Sequence, residues 1–435
     1  MGDHESWVAR DAAVVWHGFT QMACYADSEP VVVERAEGRE LIDVEGRRYL
    51  DAISSLWVTT LGHRVPELDR ALTDQLGKVA HSTLLGNGNT VAVELAEALA
   101  RVVPVDEPHF VFASDGAAAV EQALKIAFQY WANQGVEGRT TYLALGGAYH
   151  GDTVGSLSVG AGGFGTTLFD PLRFPVLRAP DVSTAARMVT AEAGRLAAVV
   201  VEPLVQGAAG MQLHSAADLA RLAEAARAAG VLFVADEIAT GFGRTGTLFA
   251  CDQAGVRPDL LCLGKGLTGG YLPMSATVAS GAVHDAFLGP DLSEVTLYHG
   301  HSYGGNALAA AVALRHLALL DEWDVLANVG ARGTQLGELL DRDVAPLPAV
   351  REVRRLGLMA GVELAPLPPS GTPRTPGDGL RWGRKVCAAA VRRGVLLRPL
   401  GDVVVLMPML TSTATEIDRI VAVLADSISE VTGTR

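Results

Sequence analysis

Through the middle of the chain, short β-branched or aliphatic runs alternate with longer Ala/Leu-rich amphipathic segments. Phe110–Ala113 leads into Ala117–Trp131, Leu196–Val201 into Ala216–Ala229, and Val231–Ala235 into a glycine-rich turn. Strand-sized runs alternating with helix-sized ones predict parallel β-α-β units and a sheet covered on both faces. Helical spacing resumes at Asn306–Leu320 and Val325–Leu340, after which Val350–Leu364 and Val395–Met407 read as strands around a helix at Leu380–Arg393. Val31–Val33 and the turn Asp43-Val44-Glu45-Gly46-Arg47 predict short strands near the beginning, and Pro366–Pro373 predicts an exposed loop. The expected fold is α/β. A large domain over 66–330 carries a mainly parallel sheet covered by helices. A smaller α+β domain comes from both chain ends, 1–65 and 331–435.

Composition narrows the class. The 435 residues are 49% hydrophobic and 19% charged, enough apolar surface for a large core and too much for a disordered chain. Thirty-five basic against forty-nine acidic residues give a net charge of −14. That balance argues against nucleic acid or an anionic membrane as partner, since both want a basic face. No apolar run approaches the roughly 18 residues of a membrane span. Met1-Gly2-Asp3-His4-Glu5 lacks the basic start and apolar centre of a secretory signal. Cys24, Cys251, Cys262 and Cys387 show neither C-x-x-C spacing nor a disulfide framework. A soluble cytoplasmic protein with reduced thiols is expected.

The densest chemistry lies in Val234–Gly246 and Leu263-Gly264-Lys265-Gly266. An apolar strand delivers Asp236 at its carboxyl end, where open α/β sheets place ligands. Lys265 follows at the end of the next apolar run, between two glycines. Such a lysine lets backbone approach a bulky group and offers an amine able to form a Schiff base with an aldehyde cofactor. An aspartate at a neighbouring strand end is what a pyridine nitrogen needs to stay protonated, the condition for pyridoxal phosphate chemistry. Either residue alone suits a capped helix or a surface loop equally well; together they favour a site. Ser114-Asp115-Gly116-Ala117-Ala118 opens a helix whose free N–H groups suit a phosphate, though a plain N-cap reads the same way. Tyr149 offers a ring that could stack on a cofactor or simply pack. His299 and His301 have no third ligand at useful spacing, so no metal is expected. Arg398 is a candidate clamp for a carboxylate.

At these residues the chain resembles the class III aminotransferases of fold type I, and within them the diaminopelargonate synthases of biotin synthesis. The likeness runs from Trp16-His17-Gly18-Phe19-Thr20-Gln21-Met22 to Arg398–Val403. It passes through Asp51-Ala52-Ile53-Ser54-Ser55-Leu56-Trp57, Tyr149-His150-Gly151-Asp152-Thr153, Asp236–Gly246 and Gly264–Tyr271. The resemblance implies a pyridoxal 5'-phosphate enzyme that aminates 8-amino-7-oxononanoate to 7,8-diaminononanoate. It also implies a homodimer with active sites at the subunit interface and small-molecule substrates. Carried over by position, Lys265 is the Schiff-base lysine and Asp236 the partner of the pyridine nitrogen. Tyr149 stacks on the ring, Gly116 and Ala117 hold the phosphate, and Ile238 joins the cofactor site. Ser302 reaches the phosphate in the partner subunit. Arg398 holds the keto substrate's carboxylate, and Phe19, Trp57, Tyr149, Arg244 and Gly300 line the substrate site. The alternatives are another class III amine–ketone aminotransferase or a non-catalytic protein that binds the cofactor.

Three departures stand out from the family pattern. Asp115 replaces the usual serine before Gly116, so a carboxylate sits beside the expected phosphate unless it turns away to cap the helix. Phe19 and Leu56 stand where the S-adenosylmethionine-using branch has tyrosine and tryptophan, and Val405 replaces an active-site tyrosine. With His299–Tyr303 and Leu400–Val403, these replacements resemble the lysine-using branch.

Overall fold

The computed structural model describes residues 3–161, 166–365 and 381–433. Seven strands form its central sheet: β1 His109–Ala113, β2 Thr141–Leu145, β3 Val176–Ala179, β4 Leu196–Val201, β5 Leu232–Asp236, β6 Leu260–Leu263 and β7 Ser275–Ala279. Across the sheet they run β1-β7-β6-β5-β4-β2-β3. Every neighbouring pair is parallel except the two made by β7, which runs against both β6 and β1.

The apolar runs are continuous because both faces of the sheet are buried. All positions of β4, β5, β6 and β7 are buried. Successive side chains go to opposite sides. Ala144, Val200, Val234 and Cys262 pack on one side with Ala119, Ala123 and Ile126 of the helix Gly116–Asn133. Leu145, Val201, Ala235 and Leu263 enter the larger core on the other. This packing brings the carboxyl ends of β5 and β6 together, with Asp236 in register with Cys262.

Both chain ends build the remaining sheets. Val33–Glu37, Glu40–Asp43 and Arg48–Asp51 form an antiparallel set. Val395–Leu396, from far along the chain, adds parallel to Arg48–Asp51. Val350–Leu356, Met359–Leu364, Val403–Leu406 and Arg398–Leu400 form a second antiparallel sheet in that order. The expected C-terminal helix forms over Trp382–Arg392. The helix predicted to end at Leu340 ends at Leu339 and continues as a wider turn through Val344. The predicted loop Pro366–Pro373 lies outside the described residues.

One glycine fixes how the C-terminal sheet meets the rest. Gly357, in the turn after Val350–Leu356, has φ +57°. Leu358 N–H donates to the Arg244 carbonyl (3.0 Å). A Cβ on Gly357 would stand 2.5 Å from the Arg244 carbonyl oxygen and 2.6 Å from the Thr245 carbonyl carbon. Both are backbone atoms that cannot rotate away. Gly357→Ala should therefore destabilise by about 2–4 kcal/mol, combining left-handed strain with overpacking. A urea unfolding curve that overlays the wild type would refute this account of the turn.

Candidate active site

Asp236 ends β5 as a buried carboxylate with both oxygens engaged. Oδ1 accepts the Ile238 N–H (3.0 Å), and Oδ2 faces His150 Nδ1 at 2.7 Å. His150 is also buried, and its Nε2 has no partner among the described residues. Burial alone would lower the imidazole's pKa. The hydrogen bond and charge of Asp236, with the charge of Glu202, outweigh it and raise the pKa above the ordinary value. Asp236 and His150 thus form an ion pair behind any group set against the strand end.

Glu202, immediately after β4, is the second buried carboxylate. Oε2 accepts the Tyr149 N–H (3.1 Å) and Oε1 the Gly207 N–H (3.0 Å). Burial pushes its carboxyl up to about 7; His150 opposes that rise and Asp236 adds to it.

Lys265 stands in the short 3-10 turn Lys265–Thr268 that follows β6. It keeps some surface open, yet burial holds its ammonium below the ordinary lysine range against the pull of Asp236 and Glu202. Its Nζ lies 5.0 Å from the centre of the buried Trp57 ring, within cation–π range. A Cβ on Gly207 would come within 3.1 Å of Trp57 Cζ3, so that glycine lets backbone back the ring.

The helix Gly116–Asn133 begins nearby. A Cβ on Gly116 would meet Ile238 Cδ1 and Cγ2 at 2.9 Å, and one on Gly264 would meet Ile238 Cγ2 at 3.3 Å. Ile238 therefore packs between the helix start and the lysine turn, and neither glycine can enlarge. Asp115 turns to cap the helix, its Oδ1 accepting the Ala118 N–H (3.0 Å). Ser114 Oγ donates to Asp115 Oδ2 (2.7 Å), and His301 Nε2 lies 3.0 Å from Ser114 Oγ.

Tyr149 is half-buried at a cleft of about 270 Å³, which Phe19, Asp152, Leu157 and Ala208 help to line. Its hydroxyl donates to Asp152 Oδ2 (2.9 Å). Phe19 is 65% exposed. Asp236, Ile238, Lys265, Trp57, Gly116 and Tyr149 are thus joined by direct contacts or through His150 and Glu202. Arg244, expected to line the substrate site, is almost wholly buried. Its Nη1 and Nη2 donate to the Pro408 (2.6 Å) and Thr59 (2.9 Å) carbonyls, and burial lowers its pKa to about 10. Gly300 and Ser302 lie exposed on the loop before Ala307–Glu322, Gly300 beside Leu85. Arg398 is exposed at the start of its strand and pairs with no carboxylate among the described residues. His150 and Glu202 carry no role in the motif reading; a lone acid interrupting the run 197–205 was the signal for the second.

Comparison with known proteins decides what this constellation belongs to. The family model for class-III aminotransferases matches residues 22–428. The chain belongs to the class-III aminotransferases. A relative from Nitratidesulfovibrio vulgaris, named adenosylmethionine-8-amino-7-oxononanoate aminotransferase, is 46% identical over 97% of this chain and 81% of its own. A solved structure of the same name from Methanocaldococcus jannaschii superposes with a TM-score of 0.93 at 37% identity, covering 98% of each chain. An (S)-enantioselective omega-transaminase from Thermomicrobium roseum gives 0.90 at 33% identity, covering 99% of each. The fold of this class-III aminotransferase is therefore fold type I, and the protein is a transaminase.

The Glu202 carboxyl gives a pH signature. Its pKa is raised on folding from 4.5 to about 7, so the folded chain holds a proton that the unfolded chain has released. That contribution to stability is complete below the unfolded value and is lost as pH rises through about 7. Glu202→Gln cannot titrate and lacks this slope. Its unfolding free energy relative to wild type should rise by roughly 2–3 kcal/mol between about pH 5 and pH 8, at ~1.4 kcal/mol per unit. Guanidinium unfolding at the two pH values checks it, and a constant difference refutes it.

Proposed function

We propose that this aminotransferase uses pyridoxal 5'-phosphate to aminate 8-amino-7-oxononanoate to 7,8-diaminononanoate in biotin biosynthesis, with L-lysine or S-adenosylmethionine as donor. The observation that carries the reading is a low-pKa lysine amine and a His150-backed aspartate, delivered by the adjacent strands β5 and β6. The names of the Nitratidesulfovibrio and Methanocaldococcus proteins support the acceptor.

The residues fit the cofactor. Gly116 and Gly264 let the helix start and the lysine turn close on Ile238, and Asp115 caps the helix from the side. The first-turn N–H groups of Gly116 and Ala117 and the positive helix end suit a phosphate dianion. Asp236 would hold a proton on the pyridine nitrogen, with His150 securing the carboxylate from behind. Tyr149 and Ile238 would flank the ring. Bound there, pyridoxal phosphate supplies an aldehyde for amine exchange and a protonated ring that accepts electron density from the substrate.

The chain's own groups account for the rest. Burial lowers the cost of deprotonating Lys265 Nζ, so this nitrogen can act as nucleophile and then carry the substrate's α-proton as base and acid. Phe19 helps to line the cleft, and Trp57 shields Lys265 Nζ from water. Arg398 binds the acceptor's carboxylate as a bidentate donor, with Gly300 beside the chain of the substrate. Arg244 serves the substrate site from behind, through the Thr59 and Pro408 backbone it holds. The protein works as a homodimer in which Ser302 reaches the phosphate of the partner subunit's cofactor. The exposure of Leu85, Tyr298 and Tyr303 around that loop supports an interface there. No helix among the described residues is long and apolar enough to cross a membrane, and the protein is assigned to the cytoplasm. The Thermomicrobium likeness favours, as second reading, another amine–ketone transamination.

Purified enzyme given 8-amino-7-oxononanoate and a donor should form 7,8-diaminononanoate, and Lys265→Ala should form none while keeping its far-UV circular dichroism. Turnover by Lys265→Ala at near wild-type rate removes the lysine assignment; wild-type transfer only to other ketones selects the second reading.

The donor follows from the residues at positions 19 and 56. S-adenosylmethionine carries an adenine face and a sulfonium that aromatic surroundings favour. Leu56 and Phe19 offer one π face and one hydroxyl fewer than tryptophan and tyrosine would. L-lysine should therefore serve at least as well as S-adenosylmethionine in initial rates at matched concentration. Product formation with S-adenosylmethionine alone would overturn the role given to Leu56 and Phe19.

A further inference from the structure

Three residues before the Lys265-facing ring of Trp57 is reached, the backbone enters conformations that L-residues avoid. Ser54 has φ +52°, Ser55 φ +61° with ψ −69°, and Trp57 φ +67°. None is glycine. A turn of this kind persists only where its surroundings over-determine it, and such strain concentrates at functional sites.

The group that over-determines it is Asp51. Its carboxylate is buried and accepts the Ser55 N–H on both oxygens (3.0 and 2.8 Å) and the Ile53 N–H (3.3 Å). Ser55 Oγ also donates to it (3.3 Å), and His63 Nε2 lies 3.1 Å from Oδ2. Ser54 Oγ adds a bond to the Met407 carbonyl (2.6 Å). Beyond the turn the strand of chain is tied down again, the Thr59 carbonyl by Arg244 and Thr60 Oγ1 by His316 Nε2 (2.6 Å). Trp57 itself is not anchored by its polar atom, because its buried Nε1 has no partner among the described residues. The ring's place over Lys265 is therefore set by packing, with Gly207 behind it, and by the backbone conformation of the turn, which Asp51 holds.

We infer that Asp51 is a positioning residue: it holds the Ser54–Trp57 turn in its strained form, so that Trp57 stays over Lys265 and restricts the bulk of the amine that reaches it. The inference rests on the reading of Lys265 as the reactive amine. Asp51 touches neither the cleft nor Lys265; apart from the turn, its charge also bears on the buried Arg244. Without the carboxylate, the Ser55 N–H loses both acceptors, the left-handed residues relax, and the indole, which has no hydrogen bond of its own, shifts from the amine. Glycine at position 55 has no Cβ to resist φ +61°, so it should lower the demand on the clamp.

The test uses the cofactor-loaded enzyme and its Asp51→Ala, Asp51→Asn and Asp51→Ala/Ser55→Gly variants. Two quantities are read. One is amide hydrogen exchange over 53–58; the other is the ratio of kcat/KM for a bulky aryl amine to that for a straight-chain amine. Asp51→Ala should speed exchange and raise the ratio about tenfold, the scale of a steric pocket contact. Asp51→Asn, which keeps one acceptor, should fall between it and wild type, and Ser55→Gly should move the double variant back toward wild type. Unchanged exchange overturns the clamp. Faster exchange with an unchanged ratio leaves Asp51 purely structural and overturns its effect on the amine. If Asp51→Ala fails to fold, Asp51→Asn decides by the same two readings. A wild-type enzyme that accepts no amine instead removes the reading of Lys265, and exchange alone then decides the clamp.

Discussion

An amine, an imidazole and two carboxylates have been withdrawn from water beyond the carboxyl ends of four adjacent strands, and each is tolerable only because of the others. An isolated buried charge is prohibitively costly, and even a pair needs its remaining donors and acceptors met. Asp236 meets that condition with His150 and a backbone N–H, and Glu202 with two backbone N–H groups. Lys265 meets it least: it has the Trp57 face and the distant pull of two carboxylates. The imbalance favours the neutral amine more than in an ordinary lysine, because burial is the largest influence on its ammonium. The surrounding loops read as arrangements for supplying N–H groups and aromatic faces to this cluster.

Close backbone approach is the second requirement, and it explains where small residues are obligatory. Gly116 and Gly264 both abut Ile238, so the helix start, the aspartate strand and the lysine turn close on one side chain. Gly207 does the same behind Trp57. Arg244 works at longer range. Its buried guanidinium spends two nitrogens on carbonyls from opposite ends of the chain, Thr59 and Pro408, and its own carbonyl receives Leu358 N–H. One side chain and one carbonyl thus join the central sheet, the strap over the lysine turn and the C-terminal sheet.

The legible part of the sequence was what periodicity and local chemistry encode. Runs such as Leu196–Val201 and Leu260–Leu263 are apolar at every position because both sheet faces are covered, and they announce buried parallel strands directly. Asp236 and Lys265 stood out because a charge at the end of such a run needs a reason. The rest depended on contacts between distant segments. His150 meets Asp236 across 86 positions, and Arg244 reaches Thr59 across 185. Nothing in either neighbourhood encodes the partner. Arg244 was expected among substrate-lining residues by position in a motif, whereas its burial follows from two carbonyls that no motif contains. The strain at Ser54–Trp57 was equally hidden, because serine and tryptophan carry no signal for positive φ.

Asp115 shows how a residue that looks wrong for its place is made compatible with it. A carboxylate at the mouth of the proposed phosphate site opposes a dianion if its charge faces the ligand. Here Oδ1 is taken by the Ala118 N–H, and Oδ2 by the Ser114 hydroxyl, which in turn lies against His301 Nε2. His301 Nδ1 accepts the Tyr303 N–H (3.1 Å), so the ring's proton sits on Nε2 and the chain of donors runs one way, toward the carboxylate. The negative charge is thereby drawn to the side of the helix axis. The N–H groups of Gly116 and Ala117, which precede the capped amide, are not consumed by the cap. A serine in place of Asp115 could cap the same amide but could not draw in Ser114 and His301 with a charge. The substitution therefore exchanges a neutral cap for a charged one that ties the helix start to the 299–303 loop, the loop that carries Ser302 toward the proposed subunit interface.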